Sequence, residues 1–375
     1  MVLCGIDRIG SYEHIFKNAR IGVVTAPTGI DKNMRPTYEI LAEKYTVTAL
    51  FAPEHGIRGD AQAGDHISTY VDDETGLTVY SLFGENKRPS EEMLKEVDVL
   101  VFDMQDVGAR YYTYLYAMCY CMESCAKFGK EMVVLDRPNP INGIDVEGTI
   151  LDEQFNSGVG EYAVPIRYGL TIGEFGKYIN ETRNIGCKLT VITCEGWERG
   201  MLFDETGLPW ILPSPNVPTP VNSCLHYLAT CYYEGTNISE GRGTTLPFEF
   251  VGAPFINGKE LEERMAAYNF DGIKFRRCYF TPTFSKHKGE RCQGVQLHIT
   301  DKNLYRPFEA GMYLFKEVRE LAGENLTFNY NGMHLVHLYG NKDILDPNFD
   351  VDKAIAEARA SSAEFAELKK AYHLY

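Results

Sequence analysis

The chain has 375 residues, of which 44% are hydrophobic and 24% are charged, as in a globular protein and unlike a disordered one. A chain of this length exceeds one ordinary hydrophobic core, so we expect two domains. The formal net charge of −15 argues against nucleic acid or an anionic membrane surface as a partner, because either would need a basic face. Neither an apolar run long enough to cross a membrane nor a signal-peptide pattern is visible, which favours a cytoplasmic protein.

Ten cysteines are spread along the chain, most of them in apolar runs. A secreted protein of this size would be expected to show fewer cysteines or an evident disulfide framework, so we interpret them as reduced, buried residues. Cys119, Cys121 and Cys125 lie close in sequence, but residue 119 would point away from the helix face that 121 and 125 share. Because no CxxC or HxxxH pair completes a site, we predict neither a metal nor another cofactor.

Strands and helices alternate over the first 200 residues. Apolar runs bounded by turn-forming residues predict strands at 20–25, 46–51, 76–81, 97–103, 131–136 and 188–193. Helices are predicted at 36–44, 89–95, 111–128 and 171–182, the last with a capping box made by Thr171 and Glu174. This alternation predicts an α/β fold with a Rossmann-like, doubly wound, mostly parallel sheet. No GxGxxG follows a strand, so the sequence lacks the dinucleotide-binding fingerprint.

The amino-acid pattern of the chain changes at Pro209. Five prolines between residues 209 and 220 predict a stiff, extended crossing segment. Beyond it we predict helices at 221–231, 258–267, 307–322 and 351–372, with strands at 272–280 and 294–300. These elements predict a smaller α+β domain at the C-terminus. We place the domains at 1–205 and 206–375, with an active-site cleft at their interface.

Polar side chains follow three of the predicted strands. The clusters are Glu54, His55 and Arg58 after the second strand; Asp103, Gln105, Asp106, Arg110, Tyr111 and Tyr112 after the fourth; and Asp136, Arg137, Asn139 and Glu147 after the fifth. Because ligand sites in open α/β sheets lie beyond the carboxyl ends of the strands, we expect these clusters to share one site. The alternative is that the acids cap helices or form turns. The tyrosines could equally be the buried stripe of the following helix, and we expect a split between core and cleft.

A glycine-rich loop at 234–244 contributes Asn237, Glu240 and Arg242. Its three glycines indicate close backbone approach to another group, unless the loop is simply tight and solvated. A cleft with Glu54 on one side and this loop on the other would suit a polar ligand.

Several motifs together resemble those of one family, the NamZ-type exo-β-N-acetylmuramidases. They are Phe-Ala-Pro-Glu-His-Gly-Ile-Arg-Gly at 51–59, Asp-Val-Gly-Ala-Arg-Tyr-Tyr-Thr-Tyr at 106–114, Leu-Asp-Arg-Pro-Asn-Pro at 135–140, Glu-Thr-Gly-Leu-Pro-Trp at 205–210, Pro-Ser-Pro-Asn at 213–216 and Glu-Gly-Thr-Asn-Ile-Ser-Glu-Gly-Arg-Gly-Thr at 234–244. The resemblance covers nearly the whole chain. It implies a Rossmann-like domain plus a smaller C-terminal domain, with the site between them. The implied activity is removal of terminal N-acetylmuramic acid from the non-reducing end of peptidoglycan-derived saccharides, with Glu54 as the catalytic acid.

Cleavage of a glycoside needs a proton donor and a group that stabilises an oxocarbenium-like centre. Glu147, Asp103, Asp106, Glu240, Glu249 and the substrate's own N-acetyl group all remain candidates for the second role. The lactyl carboxylate of a muramic acid calls for a guanidinium, and Arg58, Arg110 and Arg242 are candidates. Two other functions stay open. One is an amino-sugar-binding protein without turnover, and the other is a metal-dependent hydrolase using Asp103, Asp106 and Asp136. A homodimer is a candidate assembly.

Overall fold

The computed structural model describes residues 1–54, 56–59, 68–84 and 86–375. Its strands are β1 (Arg20–Thr25), β2 (Thr46–Ala52), β3 (Tyr70–Val71), β4 (Thr78–Ser81), β5 (Val99–Asp103), β6 (Glu131–Leu135), β7 (Lys188–Ile192), β8 (Phe250–Ala253), β9 (Ile273–Phe280) and β10 (Cys292–Ile299). Its α-helices are α1 (Glu13–Phe16), α2 (Thr37–Lys44), α3 (Tyr114–Phe128), α4 (Ile172–Thr182), α5 (Phe203–Thr206), α6 (Asn222–Thr230), α7 (Gly258–Ala267), α8 (Pro307–Ala322), α9 (Met333–Tyr339) and α10 (Val351–Leu368).

Within the described residues, seven strands form one sheet in the order β3-β4-β2-β1-β5-β6-β7. Every neighbouring pair is parallel except β3 and β4, which are antiparallel. The chain moves outward from β1 through β2 to β4, and in the other direction from β5 through β6 to β7. The strand order therefore reverses between β1 and β5, which confirms the predicted doubly wound, mostly parallel sheet.

The parallel strands are buried on both faces, as their continuous apolar runs predict. All five residues of β5 are buried. Leu100 and Phe102 face one apolar core, and Val99 and Val101 face the other, because successive side chains of a strand point to opposite faces. The first of these cores continues into the C-terminal half of the chain, where it includes Phe248 and Leu314.

The smaller second domain contains a three-stranded antiparallel sheet in the order β8-β10-β9. Helix α7 packs against β9 and β10, and α8 packs against both α6 and α7. Gly294 in the central strand β10 lies so close to the backbone of β8 that a Cβ atom would clash with the Val251 carbonyl oxygen. This arrangement confirms the predicted α+β second domain.

The local predictions hold where the signals are strong and fail where a segment is short. The capping box of α4 is present, since Thr171 Oγ1 accepts from Glu174 N and the Glu174 carboxylate accepts from Thr171 N. The predicted helix at 89–95 is wrong: these residues form turns, too short a stretch to sustain a helix. Helix α3 begins later than predicted because Ala109 still pairs with Arg167 in an isolated bridge.

The C-terminal elements return to the first domain. The Arg110 side chain donates to the backbone carbonyls of Leu338 (2.8 Å) and Tyr339 (3.0 Å), and the Tyr375 hydroxyl donates to Asp136 Oδ2 (2.7 Å). These hydrogen bonds, of which the two from Arg110 are buried, join the two domains. None of the helices in the described ranges combines the length and the apolar character needed to cross a membrane. The ten cysteines, all within those ranges, are buried free thiols, as expected for small core residues.

Candidate functional site

Glu54 lies two residues beyond the end of β2 and is partly buried. Thr113, immediately before α3, donates a hydrogen bond from Oγ1 to Glu54 Oε2 over 3.1 Å. The carboxylate therefore sits at the junction of a parallel strand's carboxyl end and the start of the long helix, which is where the doubly wound fold places ligand sites. His55, the neighbouring predicted site residue, lies outside the described residues.

The two tyrosines that flank Thr113 hold the crossing segment of residues 209–220. The hydroxyls of Tyr112 and Tyr114 both donate to the Pro213 carbonyl, over 2.6 and 2.9 Å. The Tyr111 hydroxyl donates to the Tyr227 carbonyl over 3.0 Å. All three rings are buried, so the expected split between core and cleft is wrong at these positions. Tyr111 and Tyr112 are structural residues, and we no longer propose them as substrate ligands.

Three residues beyond Pro213, Asn216 enters the wall of a cavity of about 840 Å³. We call it the charged cavity; its lining residues are Asn216, Glu234, Glu240, Arg242, Phe284, Ser285, Lys286, Tyr330 and His334. Glu54 is not one of these lining residues, and it is related to Asn216 through Thr113, the tyrosines that flank it and the crossing segment. Of the residues predicted from sequence, Glu240 and Arg242 line this cavity.

Acidic and basic groups alternate along the cavity wall. Arg242 Nη2 lies 2.6 Å from Glu234 Oε1, and Arg242 Nε lies 3.2 Å from Glu240 Oε1. Lys286 Nζ lies 2.7 Å from Glu240 Oε2. Burial alone would raise the pKa of Glu234, but the charge of Arg242 and hydrogen bonds from His334 and Arg242 outweigh it and lower the pKa to about 2. Glu234 is therefore ionised at neutral pH and cannot serve as a proton donor there.

The glycines of the 234–244 loop do bring its backbone close to another group, but that group is protein. Gly241 and Gly243 have φ values of 85° and 83°, a region that favours glycine. A Cβ atom on Gly243 would clash with the Phe284 carbonyl oxygen in the loop between β9 and β10. The side-chain amide of Asn237 is likewise engaged by the backbone of residues 325 and 327, so this predicted ligand stabilises the loop.

At the reversal point between β1 and β5, the expected ligand crevice is filled. Arg137 donates from Nε and Nη2 to the two oxygens of Asp103, over 2.6 and 2.9 Å, and both side chains are buried. Trp210 and Pro209 of the crossing segment lie opposite Arg137 across a space of about 20 Å³, enough for roughly one water molecule. Asp103 and Arg137 form a structural ion pair, which corrects the expectation that they bind substrate.

Four further predicted ligands are used within the protein. Gln105 Nε2 donates to the carbonyls of residues 106 and 138, and Asn139 Nδ2 donates to the carbonyl of residue 170. Asp106 accepts from Gly108 N and from the Tyr168 hydroxyl, and Asp136 accepts from the start of α4 and from Tyr375. Burial raises the pKa of both Asp106 and Asp136 to about 6. Among the described residues, no group of three His, Cys, Asp or Glu side chains is placed to hold a metal ion.

The remaining predicted residues also lie away from the charged cavity's lining. Arg110 is fully buried and donates to four backbone carbonyls. Arg58 pairs with Asp72. Glu147 pairs with Arg167 Nη1 over 2.6 Å and lines a separate space of about 340 Å³ near α10. We therefore no longer propose Arg58 or Arg110 for the lactyl group.

Sequence reasoning missed most of the cavity lining. Asn216 and Glu234 fall inside the family motifs, so those motifs could have indicated both as site residues. Lys286, Tyr330 and His334 come from segments about 50 to 120 residues further along the chain, and no local pattern marks them. Their convergence depends on how β9, β10 and α9 fold back over the 234–244 loop.

The fold and the site together define an α/β protein with a smaller second domain, a partly buried carboxylate at the end of β2 and a charged cavity lined by residues of the second domain. Comparison with known families places the chain more closely. Residues 21–221 match the model "Exo-beta-N-acetylmuramidase NamZ, N-terminal", and residues 225–375 match the corresponding C-terminal model. The chain belongs to the exo-β-N-acetylmuramidase NamZ family and is a glycoside hydrolase, as the motifs predicted. The predicted boundary between residues 205 and 206 stays a prediction.

Individual relatives agree with this family. The chain is 45% identical over 380 residues to the peptidoglycan beta-N-acetylmuramidase NamZ of Bacillus subtilis (strain 168), covering 100% of this chain and 91% of that protein. It also resembles crystal structures of two DUF1343 family proteins from Bacteroides fragilis NCTC 9343. One has a TM-score of 0.91 at 33% identity and the other 0.81 at 31%, each covering 100% of this chain and 99% of the other.

Proposed function

We propose that this protein removes terminal, non-reducing β-N-acetylmuramic acid from peptidoglycan-derived saccharides, with Glu54 as the catalytic acid. One observation carries the assignment of the acid: Glu54 is a partly buried carboxylate at the carboxyl end of β2, and Thr113 donates a hydrogen bond to it. The Bacillus subtilis relative is a peptidoglycan beta-N-acetylmuramidase, which supports the substrate class.

Glu54 would give its proton to the leaving glycosidic oxygen. Of the candidates for the second role, Asp103, Asp106 and Glu147 are held by protein groups outside the cavity lining. Glu240 does line the cavity, and it is paired with Lys286 and Arg242. Among the acidic candidates, Glu240 is therefore the one that we retain for the second role. The substrate's own N-acetyl group remains the alternative for the nucleophilic role.

Arg242 is the residue we propose for the lactyl carboxylate. Its Nη2 and Nε face Glu234 and Glu240, which leaves Nη1 without a hydrogen bond to any described residue. A guanidinium edge on the cavity wall can donate to a carboxylate with defined geometry. Asn216 Nδ2, which also lacks a partner among the described residues, is a second donor in the same wall.

The experiment is to incubate the purified protein with a chromogenic β-N-acetylmuramide and, in parallel, with the matching β-N-acetylglucosaminide, each with and without EDTA. Release from the muramide and not from the glucosaminide, unchanged by EDTA, is expected. Loss of release with EDTA would favour a metal-dependent hydrolase. Tight saccharide binding with no product from the muramide or from longer fragments would contradict the proposal and indicate a binding protein.

We also propose, from the sequence, that the protein is cytoplasmic and binds neither nucleic acid nor membranes, with a homodimer as the candidate assembly. Cell fractionation tests the compartment, and light scattering on the purified protein tests the assembly. Recovery in an exported fraction, or a monomer at micromolar concentration, would contradict these proposals.

A further inference from the structure

Two large aromatic side chains lie exposed in the lining of the charged cavity. Tyr330 is 82% exposed and Phe284 is 44% exposed, whereas the side chains of Glu234 and Arg242 are 21% and 19% exposed and that of Glu240 is 2% exposed. This difference places the aromatic rings at the mouth of the cavity and the charged groups at its depth. Burying exposed aromatic surface against a ligand would be favourable.

The backbone that carries Tyr330 is unusual. Tyr330, Asn331 and Gly332 have consecutive φ values of 50°, 52° and 84°. The left-handed region is disfavoured for residues with a Cβ atom, and a tyrosine lacks the short polar side chain that eases it in asparagine. Asn329 fixes this turn to the cavity wall, since its Nδ2 donates to the Glu234 carbonyl over 2.8 Å. The fold thus fixes the backbone that carries this exposed ring, at the expense of backbone strain, as is common at ligand sites.

Phe284 lies in the loop between β9 and β10, and the following side chains Lys286 and His287 anchor this loop to the segment of residues 233–240. Lys286 Nζ donates to the carbonyls of Tyr233 (2.5 Å) and Ile238 (2.9 Å) as well as to Glu240. His287 Nε2 lies 2.7 Å from the Asn237 carbonyl oxygen. These anchors fix the loop backbone on the cavity wall and leave the Phe284 ring exposed.

We propose that Phe284 and Tyr330 form a subsite for the leaving saccharide, the sugar that follows the terminal N-acetylmuramic acid. This inference rests on the proposed function. An exo-acting enzyme holds the terminal sugar at the depth of its site. The rest of the saccharide therefore extends outward through the mouth of the cavity. The charged wall suits the acidic terminal sugar, and two rings at the mouth suit the apolar face of the next sugar ring.

The test compares two substrates. One is methyl β-N-acetylmuramide, which fills the terminal position and lacks a second sugar; the other is a disaccharide of β-N-acetylmuramic acid joined to N-acetylglucosamine. For Phe284→Ala and Tyr330→Ala together, we expect kcat/KM on the disaccharide to fall about tenfold, as for the loss of aromatic contacts of this size. The methyl glycoside rate and the inhibition constant of free N-acetylmuramic acid should stay within about twofold of wild type.

Two further variants separate the effect of the Tyr330 ring from that of its backbone conformation, and a third variant is a control. Tyr330→Trp should keep the disaccharide rate. Tyr330→Gly should lose it while raising Tm, because glycine adopts the left-handed region freely. Tyr279→Ala is the control: Tyr279 is 52% exposed on β9, packs against Arg291 and does not line the cavity, so both substrates should be cleaved normally.

Equal losses on both substrates, or no loss on either, would overturn the subsite. Failure of the proposed function is a different result, because the wild-type protein would then cleave neither muramide.

Discussion

Thr113 Oγ1 donates a hydrogen bond to Glu54 Oε2 over 3.1 Å and so joins the start of α3 to the end of β2. Tyr112 and Tyr114 fix the backbone on either side of Thr113 by bonding the Pro213 carbonyl. The orientation of the Glu54 carboxylate therefore depends on the same junction that positions the crossing segment and Asn216. A shift of that junction would move the carboxylate relative to the cavity.

Thr113→Val removes this hydrogen bond and keeps the shape of the side chain. We expect kcat to fall about tenfold, because a catalytic acid that is no longer held in its productive orientation transfers its proton less efficiently. KM and Tm should change little. Thr113→Ser retains the hydroxyl and should restore the rate, and a valine variant as active as wild type would show that Thr113 does not orient Glu54.

The Asp103–Arg137 pair gives a stability prediction. Asp103→Asn leaves the Arg137 guanidinium buried without its charge partner, which should lower the free energy of unfolding by about 3–5 kcal/mol. The matched control is Asp98→Asn, which breaks a partly exposed pair with Arg20 and should change stability by about 0–1 kcal/mol. Urea unfolding measures both, and similar small changes in the two variants would mean that the buried pair adds no more than the surface pair.

Asp106 should make stability depend on pH. Burial raises its pKa from 3.8 to about 6, so the folded state binds a proton more tightly than the unfolded state. The resulting stabilisation is complete below about pH 4 and is lost as the pH rises through 6. Asn has no charge to bury. The free energy of unfolding of Asp106→Asn, relative to that of wild type, should therefore be about 3 kcal/mol higher at pH 8 than at pH 4. Urea midpoints at both values test this, and a constant difference would exclude it.

Asp136 has the same raised pKa and is predicted to behave differently on substitution. Its two oxygens accept from Arg137 N, Gly173 N, Thr171 Oγ1 and Tyr375 OH. An asparagine amide at the Oδ2 position would force the hydroxyls of Thr171 and Tyr375 to accept instead of donate, so Asp136→Asn should destabilise the protein at both pH values. Asp106 Oδ1 has no partner among the described residues, which is why an amide is expected to be tolerated there.

Arg242 is predicted to determine specificity for the lactyl group. Arg242→Ala should lower kcat/KM on muramic substrates on the order of tenfold to a hundredfold and affect any residual glucosaminide activity far less. The alanine variant also leaves Glu234 and Glu240 without their shared cation, so Arg242→Lys is the matched variant that keeps the charge. Equal losses on both sugars, in variants that fold normally, would show that Arg242 does not bind the lactyl group.

The sequence predicted those parts of the fold that are encoded locally. The apolar runs of β1 and β5 and the capping box of α4 are contiguous signals, and the structure bears them out. The strand β3 was missed because two residues are too few to show an alternating pattern, and β8 was missed because its pairing with the distant strand β10 defines it.

The site was harder to predict because the same polar residue types serve the core and the ligand. Arg110 and Asp103 are residue types that are common in binding sites, but tertiary packing buries both. Arg110 donates to backbone carbonyls, and Asp103 pairs with Arg137. Tyr330 and Lys286 carry no local signal, and they reach the cavity through the arrangement of α9 and β9.

The central claim is that Glu54 is the catalytic acid, and Glu54→Gln tests it most directly. The measurement is the initial rate on the disaccharide of β-N-acetylmuramic acid and N-acetylglucosamine, with Tm and binding of free N-acetylmuramic acid as controls for folding and site integrity. The glutamine cannot give up a proton, so we expect the rate to fall about 10²–10⁴-fold with both controls preserved. A rate near that of wild type would contradict the account.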